Sequence, residues 1–341
     1  MELSKSDTTG IKGIAILFML WHHLFLHSTE YGALTQSLAI VFKVCVALFL
    51  FVSGYGLAKQ YSGLEKRNVR TTIRFLLRRF INFFLPFWFC FTLVVVIGNV
   101  CGYTFQDAYP AARNTLKCGI LDFFGQMGYD SYLKPWWFNK MIIQLYLVFP
   151  FLYMMLYKRY SAIIGLLAIV LVQLSAKRIP GNVFFLVEGG LPSFCLGMIS
   201  SRFRILPEMR KKALEIALAV VSVFMGVALS FLLLYVIKDS DQAVLIRAFL
   251  ALCIVVTYKL FDAGKLNILS FLGKYATIMY LTHVLFLVLL PKVVYYPKYS
   301  IFVFVLFVIV CLMMALMIGC LEKASRFDRL RLALIDKVNI L

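Results

Sequence analysis

GIKGIAILFMLWHHLFLH, residues 10–27, places ionisable side chains inside an apolar stretch near the start of the chain. Lys12 is followed by ten uncharged residues and then by His23. On a helix with ~1.5 Å rise per residue, the step from Lys12 to His23 covers ~16 Å, about half of a ~30 Å hydrocarbon core. Ionisable groups at that depth usually face a bundle interior or a water-filled cavity. The stretch therefore predicts a membrane helix with a functional histidine, His23, near the bilayer midplane.

The composition indicates a polytopic membrane protein. Of 341 residues, 62% are hydrophobic and only 15% are charged, which is far more apolar than a soluble domain. The formal charge of +19 does not indicate nucleic-acid binding, because the cations lie between apolar spans and form no soluble basic domain. They are typical of topology signals and of contacts with anionic lipid.

Ten apolar stretches have a length suited to crossing a membrane. We expect an all-α polytopic fold with about ten transmembrane helices and a single membrane domain over residues 1–341. The first helix is expected to be an uncleaved anchor. The ten spans are about 11–27, 36–58, 80–98, 137–157, 160–175, 183–200, 213–237, 244–261, 267–290 and 300–321.

The distribution of cations predicts the orientation. Lys and Arg concentrate at 59–79, at 202–212 and after residue 322, and are sparser in the alternate loops. The positive-inside rule then places both termini in the cytoplasm, with 322–341 as a short cytoplasmic tail. The long 99–136 loop lies outside in this topology. Cys101 and Cys118 share that loop, so a disulfide between them is one possibility and free thiols are the other.

Arginines precede the third span in the segment EKRNVRTTIRFLLRRFINFFLPFW, residues 65–88. Arg67, Arg70, Arg74 and Arg78 are spaced by three or four, so a helix would place them in one stripe. Guanidinium groups suit polyphosphates, because each can hold a phosphate through two hydrogen bonds. Contact with lipid headgroups explains the same pattern.

Two further segments combine polar or small residues with large apolar ones. Ser53-Gly54-Tyr55-Gly56 ends the second span and allows close approach of either a ligand or another helix. KPWWFNK, residues 134–140, reads as an interfacial aromatic belt, with sugar stacking on Trp137 as the minority interpretation. Tyr146 adds a polar group inside the fourth span.

Glu188 and His283 are the other ionisable residues of interest inside apolar spans. Glu188 adjoins Gly189-Gly190, which fits the wall of a cavity and a role in orienting or charging a histidine. Pairing with Arg178 at the outer interface explains it equally well. His283 follows a polar stretch of the ninth span and is expected toward the outer leaflet.

Five stretches follow one another along the chain: IKGIAILFMLWHH, ALFLFVSGYGL, RRFINFFLPFW, WWFNKMIIQLYLVFP and GKYATIMYLTH. Together and in this order, they resemble the acyltransferase-3 family of integral membrane acyltransferases. In the first, Lys12 and His23 match a basic residue and a histidine that are separated by ten positions. The chain departs from the family pattern in having Lys12 for an arginine, Asn82 for the second arginine of the third-helix motif, Ile142 for a frequent acid and Ala276 for a serine.

The resemblance implies transfer of an acyl group, commonly acetyl, from cytoplasmic acyl-CoA to a hydroxyl of a cell-envelope or exocellular carbohydrate. Acyl-CoA would then be a donor substrate, with no permanently bound cofactor and no metal. The protein would be an O-acetyltransferase in the plasma membrane, with membrane lipids as its surroundings and without a nucleic-acid partner. On this interpretation the catalytic residues are His23 and Glu188, the donor-binding residues are Lys12, Ser53, Arg74, Arg78 and Arg79, and the acceptor-binding residues are Trp137, Tyr146 and His283.

His23 is predicted to act as general base on the acceptor hydroxyl or, alternatively, to carry the acyl group covalently. His22 points about 100° away on the same helix and is expected to be structural. The alternative function is a transporter of a saccharide or lipid-linked saccharide, with the histidines and Glu188 as a proton relay. Inverted internal symmetry would favour a transporter, and the sequence shows none.

Overall fold

A computed structural model describes residues 2–175, 190–203, 212–237, 241–261 and 266–340. These residues form helices and connecting turns and contain no strand, as the sequence predicts. The helices, in chain order, are α1 (Lys5–Phe25), α2 (Ala33–Phe42), α3 (Cys45–Ser62), α4 (Val69–Val100), α5 (Phe105–Ala108), α6 (Thr115–Phe123), α7 (Trp137–Met155), α8 (Arg159–Leu174), α9 (Leu191–Phe203), α10 (Lys212–Phe231), α11 (Asp241–Leu260), α12 (Asn267–Leu289), α13 (Pro291–Val294), α14 (Ser300–Ala324) and α15 (Phe327–Ile340).

Seven helical segments of the described chain are long and apolar enough to cross a membrane. The predicted span at 160–175 is the shorter apolar helix α8, and only part of the predicted span at 183–200 is described, as α9. The total of about ten spans and the cytoplasmic termini therefore stay predictions. The seven segments are Ala33–Ser62, Val69–Val100, Lys134–Met155, Lys212–Val236, Gln242–Leu260, Asn267–Leu289 and Ser300–Ala324.

Helix α1 is a regular 21-residue helix, but it is not among those seven. Lys12 and the histidine pair lower its apolarity. It packs into the protein interior, with Ile11, Ala15 and Leu20 fully buried. Ionisable residues within a membrane protein are tolerated when they face protein instead of lipid, so the burial of α1 explains how it carries them.

The chain divides into two compact units. The first comprises Met1–Leu64 and Phe149–Ala276, and the second Glu65–Val148 and Thr277–Leu341. In the first unit, α1, α3 and α11 share an apolar core that includes Ile11, Phe51 and Val255. The core of the second unit joins α4 to the 99–136 segment and to α12 through aromatic side chains such as Phe87 and Trp136.

The structure refines three expectations about individual segments. Arg67 precedes α4, whose N-cap is Asn68, so the predicted arginine stripe begins at Arg70. Cys101 and Cys118 are both free thiols, so the disulfide that the sequence left open is not formed. Most of the predicted 322–341 tail is the helix α15, which packs along α4. The side of the membrane on which α15 lies stays a prediction.

Candidate functional site

The first turn of α1 is fixed by a capping box and a buried ion pair. The backbone N–H of Ser4 donates to Asp7 Oδ2 at 2.8 Å, and the Asp7 N–H donates to Ser4 Oγ at 3.0 Å. The same carboxylate accepts a hydrogen bond from Lys259 Nζ of α11 at 2.7 Å, and the Asp7 side chain is only 6% exposed. Satisfying the N–H groups at a helix start stabilises it by ~1 kcal/mol. This end of α1 is therefore held both locally and by a second helix.

The adjacent histidines of α1 have different surroundings. His22 is buried, and its Nδ1 lies 2.6 Å from the carbonyl oxygen of Ala39 in α2. Because a carbonyl oxygen only accepts hydrogen bonds, His22 Nδ1 carries the hydrogen. His23 is half-buried, and its ring centroid lies 5.1 Å from that of His22. His22 thus joins α1 to α2, which agrees with the structural role expected for it.

Lys12 lies on the same uninterrupted helix as His23, and its side chain is half-buried. The next residue, Gly13, lies against the backbone of α12, because an added Cβ would overlap the carbonyl oxygen of Leu269. Gly273, the first residue of the GKYATIMYLTH motif, is equally close to the Thr9 carbonyl. The first and last of the five motifs therefore meet at a glycine-mediated helix crossing within the first unit.

In the Ser53-Gly54 pair, helix packing explains the role of Gly54. A Cβ on Gly54 would overlap the carbonyl oxygen of Phe194 in α9, and one on Gly197 would overlap that of Phe51. Helix packing, the second of the two interpretations of this segment, therefore accounts for Gly54. Ser53 is half-buried, and its predicted contact with the donor stays a prediction.

The predicted donor-binding arginines lie on the first three turns of α4. That helix has 32 residues and a length of ~48 Å, so it exceeds a ~30 Å core by enough to keep its basic turns at the interface. Arg78 is exposed, whereas Arg74 and Arg79 are half-buried. Arg74 Nε is buried without a hydrogen-bond partner among the described residues. Asn82 donates to the Arg78 carbonyl at 2.8 Å, so its side chain folds back onto its own helix.

Arg79 and Tyr146 lie together in the second unit. The Arg79 guanidinium lies 5.4 Å from the centre of the Phe75 ring and interacts electrostatically with the phenol of Tyr146. The Tyr146 ring packs against Phe80 and Phe83, at centroid distances of 6.2 and 6.5 Å. A guanidinium that lies over an aromatic ring is a suitable contact for a phosphate or for an adenine ring.

Trp137 begins α7 and is half-buried. Its ring lies 5.4 Å from that of Tyr129 and 6.2 Å from that of Phe138. The neighbouring Trp136 is buried instead, and its Nε1 donates to the Leu281 carbonyl of α12 at 3.0 Å. Of the two tryptophans, Trp136 therefore anchors the 99–136 segment to α12, while Trp137 retains accessible ring surface.

His283 is fully buried and is oriented by Tyr280. Its Nδ1 donates to the Tyr280 carbonyl at 2.8 Å, which makes Nε2 the basic nitrogen of the neutral ring. The Tyr280 hydroxyl lies 2.9 Å from the Pro135 carbonyl oxygen and 3.3 Å from Asn139 Oδ1. The late motif and the Trp-Phe segment of the resemblance are therefore in direct contact within the second unit.

Asp122 is a buried carboxylate that sequence reasoning missed. It is 1% exposed, and its Oδ2 accepts hydrogen bonds from the Tyr132 N–H and from the Tyr109 hydroxyl, the latter at 2.9 Å. Burial raises the pKa of Asp122 to about 6, although these hydrogen bonds act in the opposite direction. Nothing in the local sequence GILDFFG distinguishes Asp122 from an exposed loop acid, because its burial depends on tyrosines 10 and 13 residues away.

The predicted site residues divide between the units. Lys12, His23 and Ser53 belong to the first unit. Glu188 lies outside the described residues. Within the described ranges, no group of three or more His, Cys, Asp or Glu side chains is placed to hold a metal ion. The second unit contains Arg74, Arg78, Arg79, Trp137, Tyr146 and His283.

Comparisons with known proteins bear on the identity of the chain. Neither curated proteins nor solved structures gave a match. The model of one protein family, described as an acyltransferase domain, matches residues 7–320, nearly the whole chain. The match covers all five sequence motifs, from Lys12 to His283. The family and the apolar helices together indicate a multi-pass membrane protein with acyltransferase activity. The chain therefore belongs to the acyltransferase-3 family.

Proposed function

We propose that this protein transfers an acetyl group from cytoplasmic acyl-CoA to a hydroxyl of a cell-envelope or exocellular carbohydrate in the plasma membrane. The observation that carries the proposal is the single helix α1, which holds Lys12 and His23 at a spacing of ~16 Å and is fixed at its start by Asp7. An uninterrupted helix keeps a cation and an imidazole at constant separation. Such a constant separation suits a long donor with phosphates at one end and a thioester at the other.

The donor-binding residues that we propose are Lys12 and Ser53 in the first unit and the arginines of α4 in the second. The phosphates of acyl-CoA are bound by Arg74, Arg78 and Arg79, since guanidinium groups form two hydrogen bonds to one phosphate. The buried Nε of Arg74 supports this role, because it has no protein partner among the described residues. No permanently bound cofactor and no metal are needed for the reaction.

In the proposed reaction His23 acts as general base. The neutral imidazole accepts the proton of the acceptor hydroxyl, and the oxygen attacks the thioester carbonyl. The C–S bond then breaks, and the CoA thiolate leaves and is protonated by the imidazolium. Glu188 is proposed to orient or charge the histidine. Trp137, Tyr146 and His283 are proposed to contact the carbohydrate.

The experiment uses purified protein in nanodiscs with radiolabelled acetyl-CoA and candidate saccharide acceptors, and it measures free CoA and label on the protein. We expect CoA release by the wild type and a reduction of roughly 10²- to 10⁴-fold in His23→Ala, as is typical when a general base is lost. His27→Ala is the matched control, because His27 is an exposed histidine just beyond α1. Its activity should equal that of the wild type.

Two outcomes would contradict the proposal in different ways. Full activity of His23→Ala would remove His23 from the mechanism and leave the acyltransferase activity standing. If the wild type consumes neither acetyl-CoA nor a longer acyl-CoA when saccharides are present, the result favours the transporter alternative. Saccharide flux into proteoliposomes would then be measured.

A further inference from the structure

Asn139 is a buried polar residue in the first turn of α7. It is 1% exposed and lies in the candidate membrane span Lys134–Met155. The backbone of the 99–136 segment covers the stem of its side chain, since a Cβ added to Gly125 would lie 3.5 Å from Asn139 Cβ. An amide in this environment is expected to have both of its polar ends hydrogen-bonded.

The hydrogen bonds around Asn139 leave one end of the amide without a partner. The Tyr280 hydroxyl has one hydrogen and two acceptors within reach, the Pro135 carbonyl at 2.9 Å and Asn139 Oδ1 at 3.3 Å. Asn139 Nδ2 has no hydrogen-bond partner among the described residues. The donor end of the amide, Nδ2, is therefore the buried polar atom of Asn139 that lacks a partner in the part of the chain that the structure describes.

We propose that the unpaired end of the Asn139 amide binds a hydroxyl group of the carbohydrate acceptor. A hydroxyl fits this end of the amide, because its oxygen can accept the hydrogen bond that Nδ2 donates. Asn139 is then an acceptor-binding residue beyond Trp137, Tyr146 and His283. This inference rests on the proposed function, since it names the group that the acyl-transfer site would receive.

Tyr280 connects Asn139 to His283. Its hydroxyl contacts the Asn139 amide, and its carbonyl accepts the hydrogen bond from His283 Nδ1 at 2.8 Å. One residue therefore orients both an amide that can hold a hydroxyl and an imidazole whose tautomer is fixed. Fixed polar groups bind a substrate hydroxyl with less loss of side-chain entropy than mobile ones do.

The test compares Asn139→Leu with the wild type in nanodiscs, using acetyl-CoA as donor and glycerol or methyl β-glucoside as acceptor probes. Leucine has a similar shape and removes both polar ends of the amide. We expect the KM for the acceptor probes to rise about tenfold. The KM for acetyl-CoA and the slow hydrolysis without acceptor should stay unchanged. If Asn139 had only a structural role, its replacement would not change the acceptor KM while leaving the acetyl-CoA KM and the hydrolysis rate unchanged.

Gln144→Leu is the matched control. Gln144 is an amide on the same helix with a buried Oε1 that has no partner among the described residues, and it lies about 140° around α7 from Asn139. We expect its acceptor KM to equal that of the wild type. Asn139→Asp provides a second variant in case the leucine variant unfolds. It keeps the shape and removes the donor, so it should also raise the acceptor KM.

Several results would overturn the inference. The first is wild-type turnover that neither probe stimulates. The second is an acceptor KM that stays unchanged in the Asn139 variants, and the third is an equal rise of the acceptor KM in Gln144→Leu. These results differ from failure of the proposed function, in which the wild type would not consume acetyl-CoA at all. If Asn139→Leu consumes acetyl-CoA and its acceptor KM is unchanged, only the proposed role of Asn139 is rejected.

Discussion

The two neighbouring histidines of α1 differ in burial, since His22 is buried and His23 is half-buried. His22 donates from Nδ1 to the Ala39 carbonyl, and the His23 ring packs against the His22 ring at a centroid distance of 5.1 Å. Because the two residues lie about 100° apart on the helix, one faces α2 and the other faces a different direction. The orientation of the proposed base, His23, is therefore supported by a residue that takes no part in the proposed chemistry.

Asp122 makes the stability of the second unit depend on pH. Burial raises its pKa from an ordinary value of about 3.9 to about 6. Between these values the folded state binds more protons than the unfolded state, so the stabilising contribution is complete below about pH 4 and is lost as the pH rises through about 6. A shift of about two units corresponds to roughly 3 kcal/mol. Asp122→Asn should remove this part of the pH dependence, as measured by thermal unfolding from about pH 4 to about pH 7.

The asparagine variant is suitable because its one acceptor oxygen can still accept from the Tyr132 N–H and the Tyr109 hydroxyl, both of which bond to Oδ2 of the aspartate. Asp130→Asn serves as control, since it removes an exposed carboxylate of the same segment. The pH profile of that control should follow the wild type. A wild-type profile retained in Asp122→Asn would show that Asp122 is not the titrating group.

At the scale of elements, glycines decide how closely α3 and α9 cross. Gly54 and Gly197 each face a backbone carbonyl of the other helix, with no space for a methyl group. Gly197→Ala should therefore push the helices apart and destabilise the first unit by roughly 2 kcal/mol or more, as overpacking of a close contact does. The measurement is thermal unfolding in nanodiscs together with the yield of folded protein.

Gly56→Ala is the matched control for this crossing. Gly56 lies two residues from Gly54 on the same helix, and a Cβ there would meet no atom within 4 Å. Alanine should be neutral at this position or should stabilise the helix by up to about 1 kcal/mol. Equal effects at Gly56 and Gly197 would mean that helix propensity, and not the crossing, governs the result.

For the whole molecule, the side on which the N-terminus lies depends on whether α1 crosses the membrane. If only the seven long apolar segments cross, their odd number puts the termini on opposite sides. With α1, α8 and α9 crossing as well, both termini face the cytoplasm, as the distribution of cations favours. We expect the second arrangement, because α1 is buried in protein, so hydropathy alone underestimates its ability to cross.

Cysteine labelling with a membrane-impermeant maleimide tests this topology in intact cells. Cys101 is exposed and lies in the predicted outer loop, so it should be labelled. Cysteines introduced at Lys5 and at Ser62, in a background in which Cys101, Cys118 and Cys320 are replaced by serine, should be labelled only after the cells are opened. Labelling of the Lys5→Cys variant in intact cells would show that α1 does not cross.

The sequence by itself determined the features that depend only on residues close to one another along the chain. Apolar length gave the helical membrane fold, the distance from Lys12 to His23 follows from the rise of one helix, and five motifs in order predicted the family that the comparison supports. These inferences succeed because hydrophobic length and helix geometry are local properties.

Only the tertiary structure decided which polar groups are buried and which residues they contact. It assigned Gly54 to the crossing with α9, placed Tyr280 between Asn139 and His283, and buried Asp122 among tyrosines. Tyr280 and Asn139 are separated by 141 residues along the chain. Burial and hydrogen bonding depend on the packing of such distant segments, so no local pattern around Asn139 or Asp122 could have revealed their environment.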